Sequence, residues 1–255
     1  MDYSPKKTYF LVGILVLVVL ILVLVMFFAR EGSQKEEKGK LIMVSTCPEQ
    51  ITYQGVVYRT KEIGEQCWMV ENLRTSVYRD GTAIPGLPAS ADWEKNEEGA
   101  YACYNNQAIK CEKYGALYNW YAINNEKELC PEGWSIPTYQ QWVELERAVC
   151  QNLGYKDCQE RFPQEFISGW KGTDEGLHLL SVDLGGKDSY GFKALFGGFR
   201  NAAGPYSFLN EKGFWWTSTP SEDFAFARVM DKAQQGIRSV ESSRSSGFSV
   251  RCVMD

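Results

Sequence analysis

Residues 9–28 read YFLVGILVLVVLILVLVMFF, twenty positions without charge, proline or amide. Coiled as a helix, that length rises about 30 Å, the thickness of a bilayer's hydrocarbon core. No other feature constrains folding as much. In lipid a lone segment must satisfy every backbone group internally and does so only as a helix, so its many β-branched residues do not argue otherwise. A cleaved signal peptide would carry a shorter apolar region, about 7 to 15 residues, followed by small residues. This run ends in Phe27, Phe28, Ala29 and Arg30. The expected organisation is a cytosolic stub (1–8), a transmembrane helix (9–28), a polar tether (29–46) and one domain (47–255). Lys6 and Lys7 precede the span, whereas Arg30, Lys35, Lys38 and Lys40 follow it, a count that by itself would place the N-terminus outside. A short Lys-bearing flank and the charge-independent export of large domains favour the opposite: single-pass in the cell membrane, N-terminus inside, C-terminal domain extracellular.

Cysteine usage agrees with that orientation. All eight cysteines, Cys47, Cys67, Cys103, Cys111, Cys130, Cys150, Cys158 and Cys252, follow the span, and none forms a CxxC pair with zinc spacing. A disulfide framework outside the cytosol accounts for them best. Eight cysteines allow 105 pairings. Local spacing suggests Cys103 with Cys111, Cys150 with Cys158 and Cys47 with Cys67, leaving Cys130 with Cys252 as a long-range staple. The run REGSQKEEKGK (30–40) has no capacity to bury a core and reads as tether. A net charge of −5 disfavours nucleic acid as a partner.

Beyond residue 47 the pattern is mixed. VVYRT (56–60) and GEQCWMVENL (64–73) read as a hairpin broken near Ile63 and Gly64, and TAIPGLPAS (82–90) as loop. Two helices are expected. One covers 114–124, with Leu117, Trp120 and Tyr121 at i, i+3 and i+4 and its aromatics expected to fill core. The other starts at a capping box, Thr138 to Gln141, presents Trp142, Leu145 and Val149 on one face and closes over Asn152–Gly154. Strand candidates are GFKALFGGFR (191–200), GFWWTST (213–219), FAFARVM (224–230) and GFSVRCV (247–253), separated by glycine-rich loops. In the last strand Phe248, Val250 and Cys252 share one face, with Cys252 pointing inward, and Ser249, Arg251 and Val253 share the other. ESSRSS (241–246) reads as a polar loop beside it. The fold class is α+β.

The blocks QCWMVENL, YGALYNWYAI, LCPEGWSIPTYQQW, GFKALFGGFR, FWWTS and GFSVRCV, in this order, resemble the Fibrobacter succinogenes major paralogous domain over roughly residues 50–255. Ser135 stands where that family's GW-H-x-P block has histidine. The resemblance implies a C-type lectin-like fold as varied in the formylglycine-generating enzyme superfamily: two helices, small antiparallel sheets, long loops and disulfides. It also implies a secreted or surface-anchored protein. Some members are similar to the variable proteins of diversity-generating retroelements, in which adenine-directed mutagenesis rewrites codons near the C-terminus. Ser221, Asp223, Phe224, Phe226 and Ser242 to Ser246 with Arg244 are reachable from Asn codons that way; Gln234, Gln235 and Glu241 are not.

Catalytic chemistry finds little support. The single histidine, His178, lies in the apolar stretch GLHLL, where packing is the ordinary role. An enzyme of the formylglycine-generating type would need a reactive thiol pair, and all eight thiols are accounted for by bridges. Asp174, Glu175, Asp183 and Asp188 offer oxygen ligands that calcium could use, yet no EF-hand loop or calcium-lectin EPN or QPD triplet is present. Solvated loop carboxylates and no cofactor are expected. Trp215 and Trp216, adjacent on a strand, face opposite ways, so one can be exposed unless loops cover both. The expected contact set is Trp216, Ser221, Asp223, Phe224, Phe226, Arg228, Arg238, Ser242, Ser243, Arg244 and Ser245, a mix of serine, arginine and aromatics common in binding loops. The expected function is binding of an extracellular protein or glycan. The alternatives are a structural or adhesion module of the envelope and a formylglycine-generating-type enzyme.

Overall fold

Gln54 and Gly55 both take positive φ, the geometry of a tight hairpin turn, and join β1 (Gln50–Tyr53) to β2 (Val56–Ile63). Gly64, at φ +65°, turns β2 into β3 (Gln66–Met69), so the hairpin break falls where the sequence places it. The structure, a computed structural model, describes residues 47–255. The stub, span and tether expected at 1–8, 9–28 and 29–46 lie outside the described residues. Among the described residues no helix is long and apolar enough to cross a membrane.

Downstream come β4 (Tyr101–Ala102), β5 (Leu117–Tyr118), β6 (Trp134–Ser135), β7 (Gly169–Lys171), β8 (Gly197–Arg200), β9 (Tyr206–Leu209), β10 (Lys212–Ser221), β11 (Phe224–Asp231), β12 (Ile237–Ser243) and β13 (Val253–Met254). A five-stranded sheet has the order β1-β2-β3-β13-β6, a six-stranded sheet the order β7-β12-β11-β10-β8-β9, and β4 pairs with β5. The helices are α1 (Ser90–Glu94), α2 (Ala108–Tyr114), α3 (Trp120–Ile123), α4 (Tyr139–Asn152), α5 (Cys158–Arg161) and α6 (Glu175–Leu179). This is a mixed α/β fold with few helices and small sheets. Four disulfides join Cys47 to Cys67, Cys103 to Cys111, Cys130 to Cys252 and Cys150 to Cys158, the pairs that spacing suggests.

Helix α4 forms as expected. Gln141 N donates to Thr138 Oγ1 at 3.1 Å and Thr138 N to Gln141 Oε1 at 2.8 Å, satisfying two donors that the first turn would otherwise orphan. Trp142, Leu145 and Val149 are buried; the Trp142 ring lies 5.0 Å from Trp68 of the first sheet and 6.3 Å from Trp215 of the second. Thr138→Ala is therefore expected to cost about 1 kcal/mol in urea unfolding.

Three expectations are corrected. The helix placed at 114–124 is broken. Gly115 at φ +81° ends α2, with its α-carbon so close to Asn72 that a Cβ would sit 2.5 Å away. β5 then pairs with β4, and Asn119 caps the short α3 by accepting from Ala122 N. Of 191–200 only Gly197–Arg200 is strand. GFSVRCV is not one strand of one sheet: Gly247 bridges to Arg200, Phe248 to Tyr118 and Ser249 to Trp215, and only Val253 with Met254 joins a ladder. Because protein lies on both sides, Ser249 and Arg251 are as buried as Phe248 and Val250, and the alternation does not sort inside from outside.

Candidate functional site

β10 and β11 pair Ser221 with Phe224, so the hairpin loop is Glu222-Asp223. β11 pairs with β12 through Phe224 opposite Ser243 and Ala225 opposite Ser242. What reads as a polar loop at 241–246 is thus the end of a strand followed by a turn. The six-stranded sheet brings Ser221, Asp223, Phe224, Ser242, Ser243, Arg244 and Ser245 to one tip.

The backbone of this tip is held from below. Trp120 N donates to Arg244 O at 2.8 Å, Trp93 Nε1 to Ser245 O at 2.8 Å, and Ser246 N to Ser243 O at 2.9 Å. Arg244 crosses back over the hairpin: its Nη2 donates to Glu222 O at 2.6 Å and Ser221 O at 3.3 Å, its Nε to Phe224 O at 3.3 Å, and its guanidinium lies 4.9 Å from the Trp120 ring. Ser221 Oγ donates to the Glu241 carboxylate, and Ser242 Oγ to Ser246 Oγ at 3.2 Å. Arg244 is therefore a clamp as much as a contact residue. Glu222, Asp223 and Phe224, the last 47% exposed, project freely.

Four expected contacts lie elsewhere or inward. Trp216 is fully buried, with Nε1 donating to Tyr118 O at 2.8 Å and its ring 4.3 Å from Phe248. Trp215 is buried on the opposite face, so loops and helix cover both indoles. Arg228 is also fully buried, with Nε donating to Glu146 Oε1 at 2.6 Å; its charge is tolerated inside because α4 supplies the counter-charge. Phe226 is half-buried, stacked 4.4 Å from Phe166. Arg238 is exposed but pairs with Val229 and Trp170, five residues and about 16 Å along β12 from Ser243.

A cleft of about 710 Å³ opens beside Arg244, with Tyr78, Glu98, Trp120, Tyr121 and Asn124 in its walls. Sequence reasoning missed it, since the aromatics of 114–124 read as core. The only signal was the surplus of aromatics there over what one helical face needs.

The other sequence candidates disperse. His178 Nδ1 lies 2.7 Å from Ser189 Oγ, and its Nε2 lies 3.0 Å from Lys187 Nζ and 3.4 Å from Asp174 Oδ2. Asp174 also accepts from Tyr155 OH, Asp188 accepts from Lys193 N, and Glu175 accepts from Thr173 N. Among the described residues no group of three His, Cys, Asp or Glu side chains could hold a metal.

Residues 62–254, most of the chain, match the family described as the Fibrobacter succinogenes major domain. The chain belongs to that family. No curated protein and no solved structure matches it. In this Fibrobacter succinogenes major domain the matched span begins at the end of β2 and closes within β13, taking in the tip and the cleft. β1 and Cys47 precede it, so the Cys47–Cys67 bridge ties a segment outside the matched span to one inside it.

Proposed function

We propose that this chain is a membrane-anchored cell-surface protein whose C-type lectin-like scaffold presents the 221–224 and 242–245 tip, with the adjoining cleft, to an extracellular protein or glycan. Binding requires no bond chemistry. One observation carries the reading: buried Trp93 and Trp120 hold the 243–246 turn by its backbone carbonyls, while the exposed side chains of Asp223 and Phe224 do no scaffolding work among the described residues. A surface built this way tolerates side-chain change while the framework persists. The serine and aromatic content supplies adaptable hydrogen bonds and apolar contact at low entropic cost. With every cysteine bridged, no thiol pair is available for formylglycine-type chemistry.

The test uses the full chain on glycan arrays and in pull-downs from extracellular fractions. Asp223→Ala with Phe224→Ser is expected to shift stability by less than about 0.5 kcal/mol, as surface changes do, while abolishing capture. Silence of the parent chain in both assays would refute specific recognition. A near-copy of the codons for 215–253, differing at adenines beside a reverse transcriptase, would establish diversification of the tip.

A further inference from the structure

A second cavity, about 340 Å³, lies away from the tip between β2, the segment 70–74, the end of α2 and the loop 181–195. Behind its wall is an unusual charge. Arg251 is 1% exposed, and among the described residues no carboxylate forms an ion pair with it, although Glu71 and Asp188 act on it through space. Its Nε and Nη2 donate to Asn72 Oδ1 at 3.3 and 2.9 Å, its Nη1 donates to Phe192 O, and the Phe192 ring is 4.1 Å away. Burial pulls its pKa down to about 9, so it remains a cation at neutral pH. A buried charge whose hydrogen-bond partners are all neutral is costly, and in a low-dielectric interior the part of its field that Glu71 and Asp188 do not offset reaches whatever lies nearby.

Asn72 is what separates Arg251 from the cavity. Its Oδ1 is taken by Arg251 and by Trp215 Nε1 at 2.9 Å, and its Nδ2 donates to Tyr114 O at 2.8 Å. The contact with Gly115 fixes its place in the wall. At the mouth Arg59 and Glu71 neutralise each other at 2.6 Å. Arg74, Lys113 and Lys193 remain, against Glu112 and Asp183. Arg74 Nη1 donates to the Glu112 backbone carbonyl at 2.8 Å, not to its carboxylate, and Lys193 uses only its backbone N–H, to Asp188. On a chain of net charge −5 this is a locally positive recess.

We propose that this cavity binds a soluble anionic ligand, one phosphate or carboxylate group being held by Arg74 and Lys193 in front of the Asn72 wall. The volume accommodates a molecule larger than a bare oxyanion, so the anionic group is one end of it. Charge-assisted contacts to Arg and Lys give the recognition, and the buried guanidinium adds field without contact.

The test is thermal unfolding of the full chain in non-ionic detergent, titrated with inorganic phosphate and with citrate against chloride at constant ionic strength. A saturable rise in Tm with either anion, and none with chloride, is expected. Arg74→Gln with Lys193→Gln should raise the half-saturating concentration by at least about tenfold, and Lys232→Gln, an exposed change elsewhere, should leave it unaltered. Lys193→Gln alone removes a side chain with no hydrogen bond among the described residues and is expected to fold and to weaken binding severalfold. If phosphate and citrate act no differently from chloride, or if Lys193→Gln titrates like the parent, the proposal is overturned. The tip variants do not touch these residues, so the two readings fail independently.

Discussion

Replacing Cys130 and Cys252 together by alanine is expected to lower the unfolding free energy by about 4–5 kcal/mol in the chain-entropy picture. This bridge spans 122 positions and ties the last strand region to the middle of the chain, whereas Cys150–Cys158 spans 8. Constraint on the unfolded chain grows with the loop closed, so Cys150→Ala with Cys158→Ala should cost only about 2–3 kcal/mol. Both cysteines of the long bridge are buried beside Trp134 and Val250, and truncating them adds a small cavity cost in the same direction. Urea unfolding followed by tryptophan fluorescence compares the two variants, and the long-bridge variant should also show the larger m-value, because its unfolded chain expands more. Equal losses from the two bridges would show that native-state packing, not loop closure, sets their contributions.

Arg228→Met is expected to cost about 3–5 kcal/mol, because it strands a buried carboxylate. Glu146 is 1% exposed; burial already pushes its carboxyl pKa above the usual value, against the pull of Arg228. Without the guanidinium that rise increases. The folded state then holds a proton that the unfolded state releases above its ordinary pKa, so stability is retained at acid pH and lost as pH climbs from the unfolded value through the raised folded one. The variant should therefore be least impaired near pH 4 and most impaired at neutrality. Adding Glu146→Leu removes the stranded charge. Arg228 Nη1 has no hydrogen-bond partner even in the parent, so the ion pair is imperfectly satisfied and the double variant should recover most of the loss. A double-mutant cycle in urea at pH 5 and pH 7.5 measures this. Additive losses at both pH values would mean that the pair is not coupled.

How far these features could be read from residues alone differs by case. The capping box at Thr138 and Gln141 was legible because both partners lie within one helical turn. The hairpin at Gly64 was legible because a positive-φ glycine follows an alternating run. Arg228 read as a contact residue because an unpaired arginine belongs in water; its partner is 82 residues away and invisible to local pattern. Trp216 and Arg251 misled for a related reason, since alternation in a strand implies a wet face only when nothing covers it. β12 escaped notice because Ile237–Ser243 is mostly polar and becomes a strand by pairing with β11 on one side and β7 on the other.

By itself the sequence determined the local turns, the α4 cap, the cysteine framework with its three short-range bridges, and the family. The turns, the cap and the short bridges depend on groups within a few tens of residues, where chain connectivity limits the partners, and the family is carried by the order of several such local blocks along the chain. Tertiary structure alone decided which face of each strand is dry, which arginines are buried, and which side chains share the tip. Those outcomes depend on segments far apart in sequence meeting at van der Waals distance, and side-chain type along the chain does not record who the neighbour will be.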